Sequence, residues 1–256
     1  MTLLRPLIVF AGLLAVWQAV VSLTGVARFI LPPPLLVLET AVARADILAS
    51  HAAVTLAEIL LGLACGTLLG SASALCMAWF RPARAWLQPV LVVSQAVPVF
   101  ALAPVLVLWF GYGLAPKVAM ATLIIYFPVT AAFYDGLRRT DPGWLDLAAT
   151  MGANRRAMLL WIRLPAALPA FASGLRVAAA VAPIGAVVGE WVGSSAGLGY
   201  YMLLMNGRVQ TAAMFAALFV LALIAVAVWF AVDAALRAAL RWQPESDPAS
   251  APIPPA

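Results

Sequence analysis

Few residues in this chain have the types and spacing that catalysis or metal binding requires. The 256 residues include one histidine, His51, and two cysteines, Cys65 and Cys76. The cysteines lie in one apolar run, about 16 Å apart if helical, which is too far for a disulfide. The histidine and cysteines lack metal-ligand spacing, and no apolar run carries a pair of carboxylates. The sequence therefore lacks the parts of an enzyme active site.

The single lysine, Lys117, does not belong to a nucleotide-binding motif. A P-loop needs Gly-x-x-x-x-Gly-Lys followed by Ser or Thr. Here Ala115-Pro116 precede the lysine and Val118 follows it. The chain has no P-loop, so any work it does must draw energy from a partner or from an ion gradient.

The composition indicates a membrane protein. Hydrophobic residues make up 65% of the chain and charged residues 10%, against about 25% in an ordinary soluble domain, and the mean hydropathy is +1.04. So few charges cannot cover a soluble fold of this length, and we expect a lipid bilayer around it. The net charge of +5 comes from basic residues scattered between apolar runs, which indicates membrane topology and not nucleic-acid binding.

Six apolar runs are long enough to span a bilayer, for which a helix needs about 20 residues. They cover residues 6–27, 59–80, 85–116, 118–134, 164–189 and 209–232. The third is long enough for a span plus a turn or re-entrant piece. Ten arginines lie on the side of the two termini, against four basic residues on the other. Cytoplasmic loops carry the excess, so we predict an all-α membrane protein of six transmembrane helices with both termini cytoplasmic.

Three charged residues lie within or beside these runs. Ionisable residues at membrane depth are candidates for function. Arg176 and Glu190 share a run but are about 21 Å apart if helical, so they cannot pair within it. We expect Arg176 to extend to the nearer surface and Glu58 to lie at the interface. The Glu190 carboxylate either contacts a polar solute or accepts backbone hydrogen bonds from the glycine-rich turn after it.

Small residues and prolines mark two further features of the runs. Gly62, Gly66 and Gly70 recur every four residues and so share one helix face. This face lets another backbone approach, either within the subunit or in a dimer. Prolines such as Pro98 kink helices, and broken helices line cavities in transporters. Our candidates for the substrate pathway are Glu190 and two residues of the third run, Gln95 and Pro98.

The segment 135–165 is the longest predicted cytoplasmic loop within the chain. Its apolar positions at helical spacing are Leu145, Ala148, Ala149 and Gly152. Gly152 suits a left-handed helix C-cap, and Asn154 suits the N-cap of the next helix. With Pro165 at the entry to the fifth span, we expect a short amphipathic helix, a sharp turn and a second helix entering the membrane. A helix lying on lipid headgroups is the alternative.

This loop resembles the signature of the inner-membrane subunits of ATP-binding-cassette (ABC) importers. That signature reads Glu-Ala-Ala, three residues, Gly, nine residues, Ile, one residue, Leu-Pro. The downstream spacing agrees here, Asp146 keeps the carboxylate, and Leu147 replaces the first alanine. By this resemblance, the residues that couple to an ATPase are Asp146, Ala148, Ala149, Gly152, Ala153, Ile162, Leu164 and Pro165.

The resemblance extends over most of the chain. Segments 31–34, 51–70, 95–111 and 189–199 are similar to permeases for sulfonates, taurine, nitrate and thiamine precursors. The stretch Gly189-Glu-Trp-Val-Gly-Ser-Ser-Ala-Gly-Leu-Gly-Tyr200 most resembles permeases linked to hydroxymethylpyrimidine uptake. That pyrimidine is therefore the solute we expect. The alternatives are a sulfonate, taurine or nitrate within the same class, or a gradient-driven secondary transporter, for which we see no internal repeat.

The resemblance also implies the partners. In a type I importer of this kind two permease subunits form the pathway, two cytoplasmic ATPases bind ATP and Mg, and a periplasmic or lipid-anchored binding protein delivers the solute. The loop helix docks on the ATPase. We therefore expect a bacterial inner-membrane permease that is not an enzyme and holds no cofactor, paired with a second permease that is an identical copy.

The chain then divides into three parts. Residues 1–50 are expected to form the first transmembrane helix and a periplasmic connection. Residues 51–240 form the transporter core, with the coupling loop at 135–165. Residues 241–256 are expected to be a disordered cytoplasmic tail, because proline is frequent and apolar residues are few there.

Overall fold

The structure, a computed structural model, describes residues 4–243, and all regular structure in that range is helical. The elements are α1 (Leu4–Thr24), α2 (Pro34–Ala43), α3 (Ala45–Trp79), α4 (Arg81–Ala96), α5 (Val99–Phe110), α6 (Leu114–Arg138), α7 (Pro142–Thr150), α8 (Arg155–Ala157), a π-helical turn (Met158–Arg163), α9 (Leu164–Gly193), α10 (Leu198–Gly207) and α11 (Thr211–Ala239). The predicted tail from 244 onward lies outside the described residues.

Four helices of the described range are long and apolar enough to cross a membrane. They are α3, α6, the continuous α8–π–α9 segment and α11. Helices α4 and α5 qualify only as a pair, bent by 106°, so they form a broken span or a re-entrant loop, as the length of the third run allowed. Helix α1 does not qualify, because its apolar stretch, Ile8–Thr24, is shorter than 18 residues. The structure therefore supports four or five spans, and the predicted count of six is not confirmed.

The core is α6, held between α3 and α9 by close backbone contact. A Cβ atom on Gly66 of α3 would lie 2.5 Å from Cγ2 of Ile125 on α6. From the other side, a Cβ on Gly185 of α9 would lie 2.6 Å from Cα of Ala121. Both distances are shorter than real side chains tolerate, so only glycine lets the three helices approach this closely.

The three-glycine face of α3 is therefore used within the subunit. Gly62 faces Ala121, and Gly70 faces Val129 and Thr130, so all three glycines meet α6. Helix α9 has an equivalent small-residue face that the sequence analysis did not identify. Its fully buried alanines are Ala167, Ala172, Ala178, Ala179, Ala182 and Ala186. This packing fixes α9 against α6 along much of its length.

Candidate functional site

Helix α7 is a short element with both ends capped. The Asp141 carboxylate accepts a hydrogen bond from the Gly143 amide at 2.7 Å and so caps its first turn. At the other end Gly152 has a φ of +81°, as the C-cap prediction requires. The Ala153 amide then donates to the Ala148 carbonyl at 2.9 Å, which closes the helix. Local chemistry alone thus defines where α7 begins and ends.

The turn after α7 leads directly into a spanning helix. The Asn154 side chain accepts a hydrogen bond from the Ala157 amide at 2.9 Å, as its predicted N-cap role requires. The π-helical turn follows without a break and continues into α9, with Pro165 in the first turn of α9. Ile162 and Leu164 are half-buried there. Because α7 is joined to α9 by one tight turn, a displacement of α7 acts on α9 through very few flexible bonds.

The exposed surface of α7 differs from the predicted apolar face. Ala148 is buried and Leu145 half-buried, but Ala149 is exposed, as are Gly152 and the Asp146 side chain. The exposed large apolar residues of this helix and its C-cap are Trp144 (57%), Leu147 (62%) and Met151 (79%). Their spacing of three and four residues places them on one side of the helix.

This second apolar face was missed because the apolar positions at 145, 148, 149 and 152 also fit a helical repeat. The shared spacing of Trp144, Leu147 and Met151 was the signal available in the sequence. A group of exposed large apolar side chains surrounded by polar residues is typical of an interaction surface. We call Trp144, Leu147 and Met151 the α7 face.

At the opposite end of α9, Glu190 lies in a buried polar network. Its side chain is 1% exposed. Thr55 on α3 donates a hydrogen bond to Oε1 at 2.6 Å, and the amides of Gly199 and Tyr200 donate to Oε2. These amides belong to the first turn of α10, so the carboxylate caps that helix. This is the second of the two geometries expected for Glu190, and its contact with a solute stays a prediction.

The loop between α9 and α10 is fixed by α3 as well. The Gly197 amide donates to Nδ1 of His51 at 3.0 Å, and the Leu198 amide donates to Thr55 Oγ1 at 2.8 Å. Gly197 has a φ of +113°, and a Cβ there would overlap the Glu190 carboxylate. Only glycine fits this position. We call Glu190, Thr55, His51 and the loop amides they bind the α10 network.

A buried ion pair lies at the same end and involves Glu58. Glu58 was expected at the membrane interface, but its side chain is 0% exposed and pairs with Lys117 of α6 at 2.7 Å. Lys117 also lies 3.4 Å from the Ala196 carbonyl, next to the α10 network. Glu58 is thus enclosed by the protein and not open to the headgroups, because its oppositely charged partner lies on another helix, while its depth at the membrane interface stays a prediction. Glu58 and Lys117 fall near the same end of their predicted spans, and this was the signal in the sequence from which the pair could have been predicted.

A second charge pair involves Arg176. Instead of extending alone to the surface, its Nε donates to Asp233 of α11 at 2.7 Å, and Arg237 reaches the same carboxylate at 2.9 Å. Asp233 lies at the edge of the last apolar run and was not among the predicted site residues. The pair ties α9 to α11.

The remaining pathway candidates lie elsewhere. Pro98 is exposed at the bend between α4 and α5, where the extended backbone of Val97 ends α4 and Pro98 is the N-cap of α5. Gln95 is in the last turn of α4, and its side chain lies outside the described residues. The three predicted pathway residues therefore do not lie together. Gln95 and Pro98 belong to the bent pair of α4 and α5, whereas Glu190 belongs to the α10 network.

Comparison with known proteins agrees with this architecture. The family described as "Binding-protein-dependent transport system inner membrane component" matches residues 66–242. A probable ABC transporter permease protein of Haemophilus influenzae is 57% identical over 84% of this chain and 87% of its own length. The formylaminopyrimidine transport permease ThiX of Halalkalibacterium halodurans is 39% identical over 83% and 85%. The riboflavin transport permease RibX of Chloroflexus aurantiacus is 37% identical over 79% and 76%.

Solved structures show the same fold. The MetNI methionine ABC transporter, in inward-facing conformations, has a chain that matches with a TM-score of 0.64 and 18% identity, over 77% of this chain and 97% of that one. Together with the family match over residues 66–242, this shared fold defines the membrane component of an ABC importer. The chain belongs to the binding-protein-dependent transport system inner membrane component family, which makes it a transporter component of the inner membrane and not an enzyme, and which rules out the gradient-driven alternative.

Proposed function

We propose that this chain is the permease subunit of an importer in which α7 docks on a cytoplasmic ATPase. The observation that carries the proposal is the α7 face: three large apolar side chains protrude from a helix that the rest of the subunit barely covers. An amphipathic helix seated in a groove is a common recognition mode. The partner ATPases supply ATP and Mg binding, since this chain has no P-loop.

The connection from α7 to α9 supports a mechanism. ATP binding can change the permease only through contacts that differ between its two states. Movement of a docked α7 would pass through the Asn154 turn and the π-helical turn into α9. Helix α9 packs against α6 through glycines and carries Glu190 at its far end. A push at α7 would therefore move α9 and α6 together and act on the α10 network.

The orientation and the remaining partners follow from this proposal. If α7 meets a cytoplasmic ATPase, the α10 network faces the periplasm, where a binding protein would deliver the solute. Both termini would then be cytoplasmic, in agreement with the excess of arginines on that side. We also propose that a second, identical copy of this chain completes the pathway.

For the solute we propose a thiamine-precursor pyrimidine such as hydroxymethylpyrimidine. Two observations support this: the resemblance of segment 189–200, and 39% identity to a permease named for formylaminopyrimidine. A flavin is the second candidate, because a permease named for riboflavin is 37% identical. Permeases named for sulfonates and taurine also match, at lower identity.

The docking proposal is tested by comparing two single variants, each of which removes one exposed aromatic side chain. Trp144→Ala shortens the α7 face, whereas Tyr112→Ala removes an aromatic side chain that is 84% exposed in the turn before α6. Each full-length variant is co-expressed with the ABC ATPase of the same importer, and the captured ATPase is quantified. We expect Trp144→Ala to lose most of the ATPase and Tyr112→Ala to retain it. Equal capture by both variants would count against docking through α7.

The solute is tested with the binding protein of the same importer. Its thermal unfolding is followed with hydroxymethylpyrimidine, riboflavin, taurine, an alkanesulfonate and nitrate. Uptake of the compound that stabilises the binding protein is then measured in cells with and without this permease. A shift with the pyrimidine and loss of its uptake in the deletion strain are expected. A shift with taurine alone would replace the pyrimidine in the proposal but leave the importer class intact.

A further inference from the structure

The end of the molecule that carries α7 also contains a basic cavity. It has a volume of about 880 Å³ and lies where the end of α3, the start of α4, the end of α6 and the π-helical turn meet. Its charged lining residues are Arg81, Arg84, Arg138, Arg155 and Arg163. No acidic residue of the described chain lines it. Five like charges around one cavity repel each other, so the arrangement favours a bound anion.

The local partners of these arginines leave most of the positive charge free. Arg138 pairs with Asp135 at 3.2 Å, which neutralises one charge. Arg155 donates to the carbonyl of Trp79 and stacks 4.9 Å from the centre of its ring, so the guanidinium is positioned but keeps its charge. Within residues 4–243, Arg81, Arg84 and Arg163 form no ion pair.

The aromatic residues of the cavity indicate its depth in the membrane. Trp79 and the 55% exposed Phe80 lie at the end of α3, and Tyr134 lies near the end of α6, where the Arg84 guanidinium is 5.9 Å from its ring centre. Aromatic rings beside basic side chains at the end of spanning helices are typical of the lipid headgroup level. Basic pockets between such helices hold phosphate-bearing headgroups.

We propose that this cavity binds a phosphate group, and that its position favours the phosphodiester of an anionic phospholipid as the source. Arg81, Arg84 and Arg163 supply the guanidinium donors, whose planar geometry suits two phosphate oxygens at once. The acyl chains would lie along the exposed surface beside Phe80. A bound headgroup would link the end of α3 to the π-helical turn that connects α7 to α9. The site is separate from the α7 face, because none of the α7 residues line it.

The proposal is tested on the full-length chain purified in a mild, neutral detergent. Bound phosphatidylglycerol and phosphatidylcholine are counted by native mass spectrometry in the double variant Arg84→Gln/Arg163→Gln. The matched control, Arg139→Gln/Arg156→Gln, removes two exposed arginines of the same end that do not line the cavity. We expect phosphatidylglycerol binding to fall by about tenfold or more in the cavity variant and to change little in the control. Equal retention in both variants would overturn the proposal.

A competition arm distinguishes the two sources of phosphate. Inorganic phosphate is added at constant ionic strength to the protein loaded with phosphatidylglycerol. Retention of the lipid supports a headgroup site. Displacement by inorganic phosphate, but not by chloride, supports the phosphate site and assigns it to a soluble anion. Loss of ATPase capture in the cavity variant with unchanged lipid binding would assign the arginines to a protein partner and overturn the proposal. Thermal unfolding verifies folding, and Arg81→Gln replaces the double variant if that fails to fold.

Discussion

The two ends of α9 are built in opposite ways. At one end, α7 is held by hydrogen bonds between residues close in sequence, and its large apolar side chains are exposed. At the other end, the α10 network is buried and joins residues far apart in the chain, such as Thr55 and Glu190, which are 135 positions apart. One helix thus connects a surface that no described residue covers to a network in which nearly every polar group has a partner.

This difference separates two contributions to function. Polar groups buried away from water are costly to leave without partners, so the α10 network sets the stability of the folded subunit. The exposed α7 face contributes little to that stability and is available for another protein. Variants at the α10 end should therefore change unfolding, and variants at the α7 end should change partner capture and uptake. The following predictions test this separation, beginning with the largest effect on stability.

Lys117→Met should have the largest effect. It leaves the Glu58 carboxylate buried without its counter-ion, and breaking a buried pair in this way costs about 3–5 kcal/mol. Thermal unfolding of the purified protein in detergent measures the loss. The double variant Glu58→Met/Lys117→Met removes both charges and should recover most of it. A single variant as stable as the starting protein would show that the pair does not hold α3 to α6.

Glu190→Gln should have an intermediate effect. The amide keeps one acceptor oxygen, but one of the positions now facing Thr55 or the α10 amides becomes a donor, at a cost of about 1–3 kcal/mol. We expect a lower unfolding temperature and, per folded molecule, unchanged uptake kinetics. Glu39→Gln, at an exposed glutamate of α2, is the control. Changed kinetics with unchanged stability would instead place the Glu190 carboxylate in the solute pathway.

Gly152→Val should have a small effect on the stability of the folded subunit and a large effect on transport. A β-branched residue at a φ of +81° is strained by about 1–3 kcal/mol, but the strain can be released by fraying of α7 alone, since nothing lies within 4 Å of the added Cβ. We expect membrane insertion and unfolding temperature close to those of the starting protein, with ATP-driven uptake lost. Uptake at the normal rate would contradict a role for this turn in coupling.

The sequence predicted the α7 end better than the α10 end, for a physical reason. A left-handed glycine such as Gly152 and a capping side chain such as Asn154 act within a few residues, so their effect is visible in the local sequence. The Glu58–Lys117 pair joins residues 59 apart, and only the three-dimensional packing decides which helices meet. The sequence therefore indicated that Glu190 was unusual but could not choose between its two expected geometries.

The number of spans and the rotation of α7 about its axis also depend on three-dimensional packing that the sequence does not show. The long third run contained a bend, which its length and prolines allowed, yet the 106° angle depends on packing. On α7 two apolar faces fit the helical repeat equally well, and the sequence alone could not tell that the small residue Ala148 turns inward while Leu147 turns outward.

Site-specific cross-linking determines whether α7 docks on the ATPase. Leu147→Cys on α7 and Leu203→Cys on α10, 62% and 49% exposed in the starting protein, are introduced after Cys65 and Cys76 are replaced by alanine. Each permease is assembled with its ATPase in membranes and treated with a short thiol-to-amine cross-linker. We expect a permease–ATPase product from position 147, with a yield that changes on adding ATP, and none from position 203. A product from position 203, or none from position 147 in an assembled complex, would contradict docking of α7 on the ATPase.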